Sequence, residues 1–88
     1  MSMNTTDEIR TFVKSNFYVP DDLTLSDESS LLDLGIVDST GVLEIVAFLE
    51  SSFGFVVDDL EIVPENLDSV ARIAGFVARK QQGELQSA

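Results

Sequence analysis

The sequence predicts an all-α fold, a small four-helix bundle with a long loop between helices 1 and 2 and a short third helix. Three observations lead to it. Apolar residues recur at i, i+3 and i+4 in three separate segments, and on to i+7 in two of them, the period of a helix with one buried face. No period-2 alternation long enough for a strand occurs, and no internal repeat. At 88 residues and 44% hydrophobic, the chain suffices for one domain with one modest core.

Helix 1 is expected over about residues 5 to 17: Thr5 and Glu8 fit a capping box, and Ile9, Phe12, Val13 and Phe17 follow at helical spacing. Val19-Pro20 stops it. Residues 21 to 38 are rich in Asp, Ser and Thr, and read as a long loop pinned to the core by Leu23, Leu25, Leu31, Leu32 and Leu34. Loops of this length are uncommon in small domains and usually functional. Asp38-Ser39-Thr40 starts helix 2, whose buried stripe is Val42, Ile45, Val46, Leu49 and Phe53 and whose C-terminal cap is Gly54. Pro64-Glu65-Asn66-Leu67 permits only a short third helix or turn. Asp68-Ser69 caps the last helix, with Val70, Ile73, Ala74 and Val77 facing inward and an end near Lys80. The carrier of these elements is a single domain over 1–80, followed by a frayed tail over 81–88.

Composition narrows the chemistry. The chain has no Cys and no His, so thiolate nucleophiles, zinc-thiolate sites, imidazole ligands and a neutral-pH base are excluded. No carboxylate pair stands out for acid–base work and no metal ligand set is expected; the region from Asp27 to Asp38 lacks the register of an EF-hand loop. The chain reads as a non-enzyme. Its formal net charge of −11 disfavours nucleic acid and anionic membrane surfaces as partners. The first eight residues form neither a basic n-region nor an apolar h-region, and the longest unbroken apolar run is five residues, Ile45 to Leu49. A cytoplasmic protein is expected. Charge is unevenly placed: from Ser15 to Ala71 there are 13 acidic residues and no basic one. Such a field favours rapid, salt-sensitive capture of basic protein partners.

Asp-Ser occurs at two helix starts, Asp38-Ser39 and Asp68-Ser69, and capping alone accounts for both. Context separates them. Ser39 follows the long loop and its end Leu34-Gly35-Ile36-Val37, and precedes a helix whose outward face carries Leu43 and Ala47 beside Glu44 and Glu50. An apolar spot ringed by carboxylates suits docking, although a scattered surface leucine has the same appearance in sequence.

The string Leu31-Leu32-Asp33-Leu34-Gly35-Ile36-Val37-Asp38-Ser39, followed by Glu44, Leu49-Glu50 and Phe53-Gly54, resembles the acyl carrier protein family. The resemblance spans about Thr5 to Arg79 and includes Pro64-Glu65-Asn66-Leu67-Asp68-Ser69-Val70. It implies that Ser39 is esterified by 4'-phosphopantetheine from coenzyme A, whose thiol then holds an acyl or aminoacyl group as a thioester. It would also explain the missing cysteine, since that group supplies the thiol. Asp38 would help position a metal or the serine in the transferase complex, and Thr40, Leu43, Glu44, Ala47 and Glu50 would form the docking face. Implied partners are a phosphopantetheinyl transferase and an adenylating acyl or aminoacyl ligase or an acyltransferase, acting on a monomer in lipid or secondary-metabolite biosynthesis. With no His to deprotonate Ser39, the transfer needs a separate enzyme.

Departures from the family pattern bear on cargo. Two residues, Ile36 and Val37, separate Gly35 from Asp38; Thr40 and Gly41 follow Ser39; and Ser51-Ser52 stand where acids are common. The string is closer to D-alanyl carriers and to stand-alone carriers that work with an adenylating ligase. Gly41 lowers helix propensity by up to about 1 kcal/mol relative to Ala, which fits either close approach by a partner or by the arm, or drift at a tolerant helix end. The alternative function is an unmodified acidic helical adaptor that binds basic proteins.

Overall fold

A computed structural model of the chain describes residues 4–20 and 22–82. Four α-helices follow one another: α1 (Thr5–Asn16), α2 (Ser39–Phe53), α3 (Pro64–Leu67) and α4 (Val70–Gln81), with a 3-10 turn at Asp59–Glu61 before α3. No strand occurs among the described residues, so the all-α bundle with a long first connection and a short third helix is the observed architecture.

Helix α1 begins at Thr5, as expected, but its cap differs. Asn4, not Thr5, is the N-cap: its side chain accepts the Asp7 N–H at 2.8 Å, and no Thr5–Glu8 capping box forms. Asn is at least as good a cap as Thr, so the competing cap one residue upstream prevails. Ile9 and Val13 are buried, and their face packs on α4. On α4 the buried set is Val70, Ile73, Phe76, Val77 and Lys80, wider than the expected stripe, with Ala74 half-buried at its edge. Gln81 closes that helix and the Gln82 N–H caps it on the Ala78 carbonyl, so these two residues of the expected tail belong to the end of α4; the rest of it, 83–88, lies outside the described residues.

All six phenylalanines of the chain form one connected series: Phe17, Phe12, Phe48, Phe53, Phe55 and Phe76, with successive ring centroids 6.0, 4.1, 6.0, 6.5 and 6.1 Å apart. Each such pair adds about 0.5–1.5 kcal/mol beyond area burial, so the series ties α1, α2 and α4 together across a small core.

The long connection is pinned less by its leucines than expected. Leu25 and Leu31 are buried, whereas Leu32 and Leu34 are 39% and 44% exposed. Ile36 and Val37 enter the core in their place. The cause is backbone geometry. Residues 31–35 form a tight turn ended by Gly35 at φ +72°, after which the Ile36 and Val37 N–H groups both donate to the Leu31 carbonyl. Only glycine takes that left-handed conformation without strain, and the turn drives the next two side chains inward. Polar ties fix the remainder: Arg10 reaches the Leu25 carbonyl and pairs with Asp27, and the Asp27 carbonyl accepts the Ala71 N–H at 2.8 Å.

Candidate functional site

Where α2 begins, the two Asp-Ser pairs part company. At the start of α4, Ser69 is itself the N-cap; it is 3% exposed, and its hydroxyl accepts the Arg72 N–H at 3.0 Å. The preceding Asp68 belongs to α3 as its C-cap, and its carboxylate accepts the Ser30 hydroxyl at 2.6 Å and the Leu32 N–H at 2.9 Å. At the start of α2 the register is shifted by one. Asp38 is the N-cap, its Oδ1 accepting the Gly41 N–H at 2.8 Å, and Ser39 is the first helical residue. The Ser39 hydroxyl therefore has no capping duty. It is exposed and has no hydrogen-bond partner among the described residues.

Capping also leaves donors open. Asp38 takes the Gly41 N–H through its side chain and the Val42 N–H through its carbonyl, while the N–H groups of Ser39 and Thr40 have no acceptor among the described residues. Those two donors and the positive end of a 15-residue helix dipole favour an anion on the serine, by roughly 0.3–1 kcal/mol near the surface. A phosphodiester esterified to Ser39 fits this donor set. Asp38 retains Oδ2 without a bond from any described residue.

Gly41 has a cause that neither sequence reading named. A Cβ built there would lie 2.9 Å from Cε1 of Phe17 and 3.0 Å from Cγ1 of Val37. The close approach is made by the chain's own aromatic ring, which seats the end of α1 against the first turn of α2 and so holds Ser39 in place.

Around Ser39, Thr40, Leu43, Glu44 and Ala47 are all exposed on one side of α2, with Leu43 at 59%. Glu50 departs from this group. It is half-buried, and its Oε2 accepts the Val57 N–H at 2.8 Å, so part of its acceptor capacity fixes the segment after α2 instead of facing outward. Two exposed apolar side chains escaped the sequence reading, Val56 at 72% and Leu60 at 92%, near Asp58 and Asp59 in the chain. For Val56 a signal existed: it alternates with buried Phe55 and Val57.

One turn along α2 from Ser39, Val42 lines an apolar, solvent-open pocket of about 80 Å³ together with Leu32, Ile62, Val63, Pro64, Leu67 and Asp68. Next in the chain to Ile62, Glu61 forms a part-buried ion pair with α4. Lys80, 6% exposed, places Nζ 3.0 and 3.3 Å from the two carboxylate oxygens of Glu61, and 5.7 and 5.9 Å from the ring centroids of Phe55 and Phe76. Burial pushes the Glu61 carboxyl upward, but the hydrogen bond from the Asp58 N–H and the Lys80 ammonium together outweigh it and hold the group below the usual glutamate range. The sequence carried a trace of this pair: Lys80 stands at i+7 from Ile73, on the buried stripe of α4.

No family model and no curated protein sequence matches the chain. No helix among the described residues is long and apolar enough to cross a membrane.

Proposed function

We propose that the chain is an acyl or aminoacyl carrier of the acyl carrier protein type, modified on Ser39. The observation that carries this reading is the shift in capping register. Asp38 satisfies the helix end, which leaves Ser39 as an exposed hydroxyl beside free backbone donors, an apolar outer face and an apolar pocket. Ser69, in the same dipeptide, is buried and its hydroxyl oxygen is engaged as the cap of α4.

In the transfer, Ser39 Oγ attacks the phosphorus of coenzyme A that bears pantetheine. The phosphoanhydride bond breaks, adenosine 3',5'-bisphosphate leaves, and the serine proton passes to a base on the transferase. The Ser39 and Thr40 N–H groups would hold the anionic reactants, Asp38 Oδ2 would help position a metal or the serine, and Gly41 packed on Phe17 seats the first turn of α2 that carries Ser39. Once bound, the group supplies a thiol on a long arm for a thioester. The exposed residues Thr40, Leu43, Glu44 and Ala47 meet basic partners, helped by a segment that has 13 acids and no base. Incubation with coenzyme A and a broad-specificity phosphopantetheinyl transferase tests the reading: a mass gain that disappears in Ser39→Ala is expected. A protein that stays unmodified, while Ser39→Ala preserves its cellular function, is instead an acidic adaptor.

A further inference from the structure

A second surface lies on the seam between α1 and α2. Phe12 and Phe48 stack across it, with ring centroids 4.1 Å apart and planes within 15° of parallel, and both rings stay half-buried. With Glu8, Thr11, Ser15 and Asn16 they line an open groove of about 280 Å³. Small-molecule sites run to roughly 300–1,000 Å³ and bury most of their ligand, which an open groove at the lower limit of that range does not do. The groove suits a single side chain presented by another protein.

Its polar lining is a set of acceptors. Glu8 is half-buried and stands outside both ion pairs found among the described residues, Arg10–Asp27 and Lys80–Glu61. Thr11 and Ser15 add hydroxyl oxygens. Asn16 donates an amide N–H to the Phe12 carbonyl at 2.9 Å, and its Oδ1 receives no bond from any described residue. No basic residue lines the groove: Arg10 is held by the Leu25 carbonyl and Asp27, and Lys14 lines a separate cavity with Val19, Pro20 and Leu23.

We infer that this groove receives an arginine side chain from a partner protein, its guanidinium against the Phe12 and Phe48 rings and its N–H groups shared between Glu8 and the neighbouring oxygens. A guanidinium is planar and always charged, offers only donors, and stacks on aromatic rings, whereas an ammonium is a point charge with no flat face. A second copy of this chain is not the occupant. Each copy carries −11, and its three arginines, Arg10, Arg72 and Arg79, all donate to groups of their own fold. Phe48 stands nine residues and about 14 Å along α2 from Ser39, and exposed Glu44 lies one turn before it. An arginine seated here therefore anchors the far half of α2 and leaves the serine uncovered. The inference needs no arm on Ser39.

The test is a titration of the 15N-labelled, unmodified chain with the blocked pentapeptide Ala-Leu-Arg-Leu-Ala, followed by amide chemical shifts. The largest shifts should fall on Glu8, Thr11, Phe12, Ser15 and Phe48. Replacing the peptide's arginine by lysine, or by its neutral isostere citrulline, should weaken binding by about threefold or more, the scale of one exposed charged or stacked contact. Glu8→Gln should weaken it by a similar factor, while Glu28→Gln, an exposed acid outside the groove, should leave it unchanged. Phe48→Leu, which keeps apolar bulk without a ring, should reduce the preference for arginine over lysine; Thr11→Lys, at an exposed position on the groove wall, should abolish the localised shifts and serves where Phe48→Leu fails to fold. Shifts centred elsewhere overturn the groove as the site, and equal effects of Glu8→Gln and Glu28→Gln reduce it to diffuse attraction. Equal binding of the lysine or citrulline peptide overturns recognition of arginine. N-acetylarginine amide binding as tightly as the peptide overturns a protein partner, and shifts of the same amides on concentrating the chain alone overturn it in favour of a second copy. Loading of Ser39 is a separate experiment, so failure of either leaves the other standing.

Discussion

Replacing Lys80 by Met removes the buried member of a part-buried ion pair while keeping most of the apolar volume of its stem. Removing one partner of a buried pair typically costs about 3–5 kcal/mol, because the other charge stays behind without compensation. Glu61 keeps 17% side-chain exposure and the Asp58 N–H, which places the expected loss near the lower bound, about 3 kcal/mol. The ammonium contacts with Phe55 and Phe76 add about 0.5–1 kcal/mol to that. At about 0.05–0.15 kcal/mol per residue, a chain of 88 residues has roughly 4–13 kcal/mol in total, so the variant loses a large share of it. Urea unfolding followed by far-UV circular dichroism should show a lower midpoint at unchanged slope. In a thermal scan the midpoint should fall by about 12 °C or more. The double variant Glu61→Met with Lys80→Met should recover most of the loss, since a hydrophobic replacement of both partners removes the stranded charge. A Lys80→Met protein within about 1 kcal/mol of wild type, or a double variant whose losses simply add, refutes the assignment of this pair as a part-buried tie.

The same carboxylate gives a pH signature. Its folded-state value is depressed, so the stability it contributes is present above the unfolded value of about 4.3 and is lost as pH falls through the folded value; the wild type minus Glu61→Gln difference should therefore be full at pH 6 and shrink below pH 4, and a flat difference contradicts this. The capping register predicts unequal serines: Ser39→Ala should lie within about 0.5 kcal/mol of wild type, whereas Asp38→Ala and Ser69→Ala should each cost about 1–2 kcal/mol by urea unfolding. Equal losses at Ser39 and Ser69 would show that the register is wrong. Gly41→Val, which drives branched carbons into Phe17 and Val37, should destabilise by about 1–3 kcal/mol and slow modification of Ser39, while a neutral effect would mean that the contact yields freely. Leu43→Asp and Glu44→Lys should slow loading by the transferase with unchanged circular dichroism; rates equal to wild type would remove this face from recognition.

Most of the helical architecture was legible because each helix has a local apolar period and a recognisable end, as with Asp38 before α2 and Gly54 at φ +76° after it. What escaped depends on contacts distant in sequence. The choice between Asn4 and Thr5 as cap is settled by two similar residues competing within one turn. The exposure of Leu32 and Leu34 follows from the turn at Gly35, which gives inward positions to Ile36 and Val37, and pattern alone does not orient an irregular segment. Asp68 looked like a helix cap, but its carboxylate holds Ser30 and Leu32, 38 and 36 residues away. At the candidate site, Ser39 and its exposed neighbours were readable from position along α2, whereas Gly41 needed Phe17, and Glu50 needed Val57, before their roles were visible. Lys80 was obscured by its charge, since a lysine on an apolar stripe has a stable place there only once Glu61 and two aromatic rings are brought beside it.

Under the proposed carrier function, a phosphopantetheine arm is joined at the exposed hydroxyl of Ser39, which has no capping duty. Intact mass of the protein purified from its native cell, with fragmentation across residues 35–45, tests it most directly. The expected result is a mass increase of one phosphopantetheine, with or without an acyl group, located on Ser39 and absent from Ser39→Ala. An unmodified mass from a cell that contains an active transferase, or a modification found on another residue such as Ser69, would contradict it.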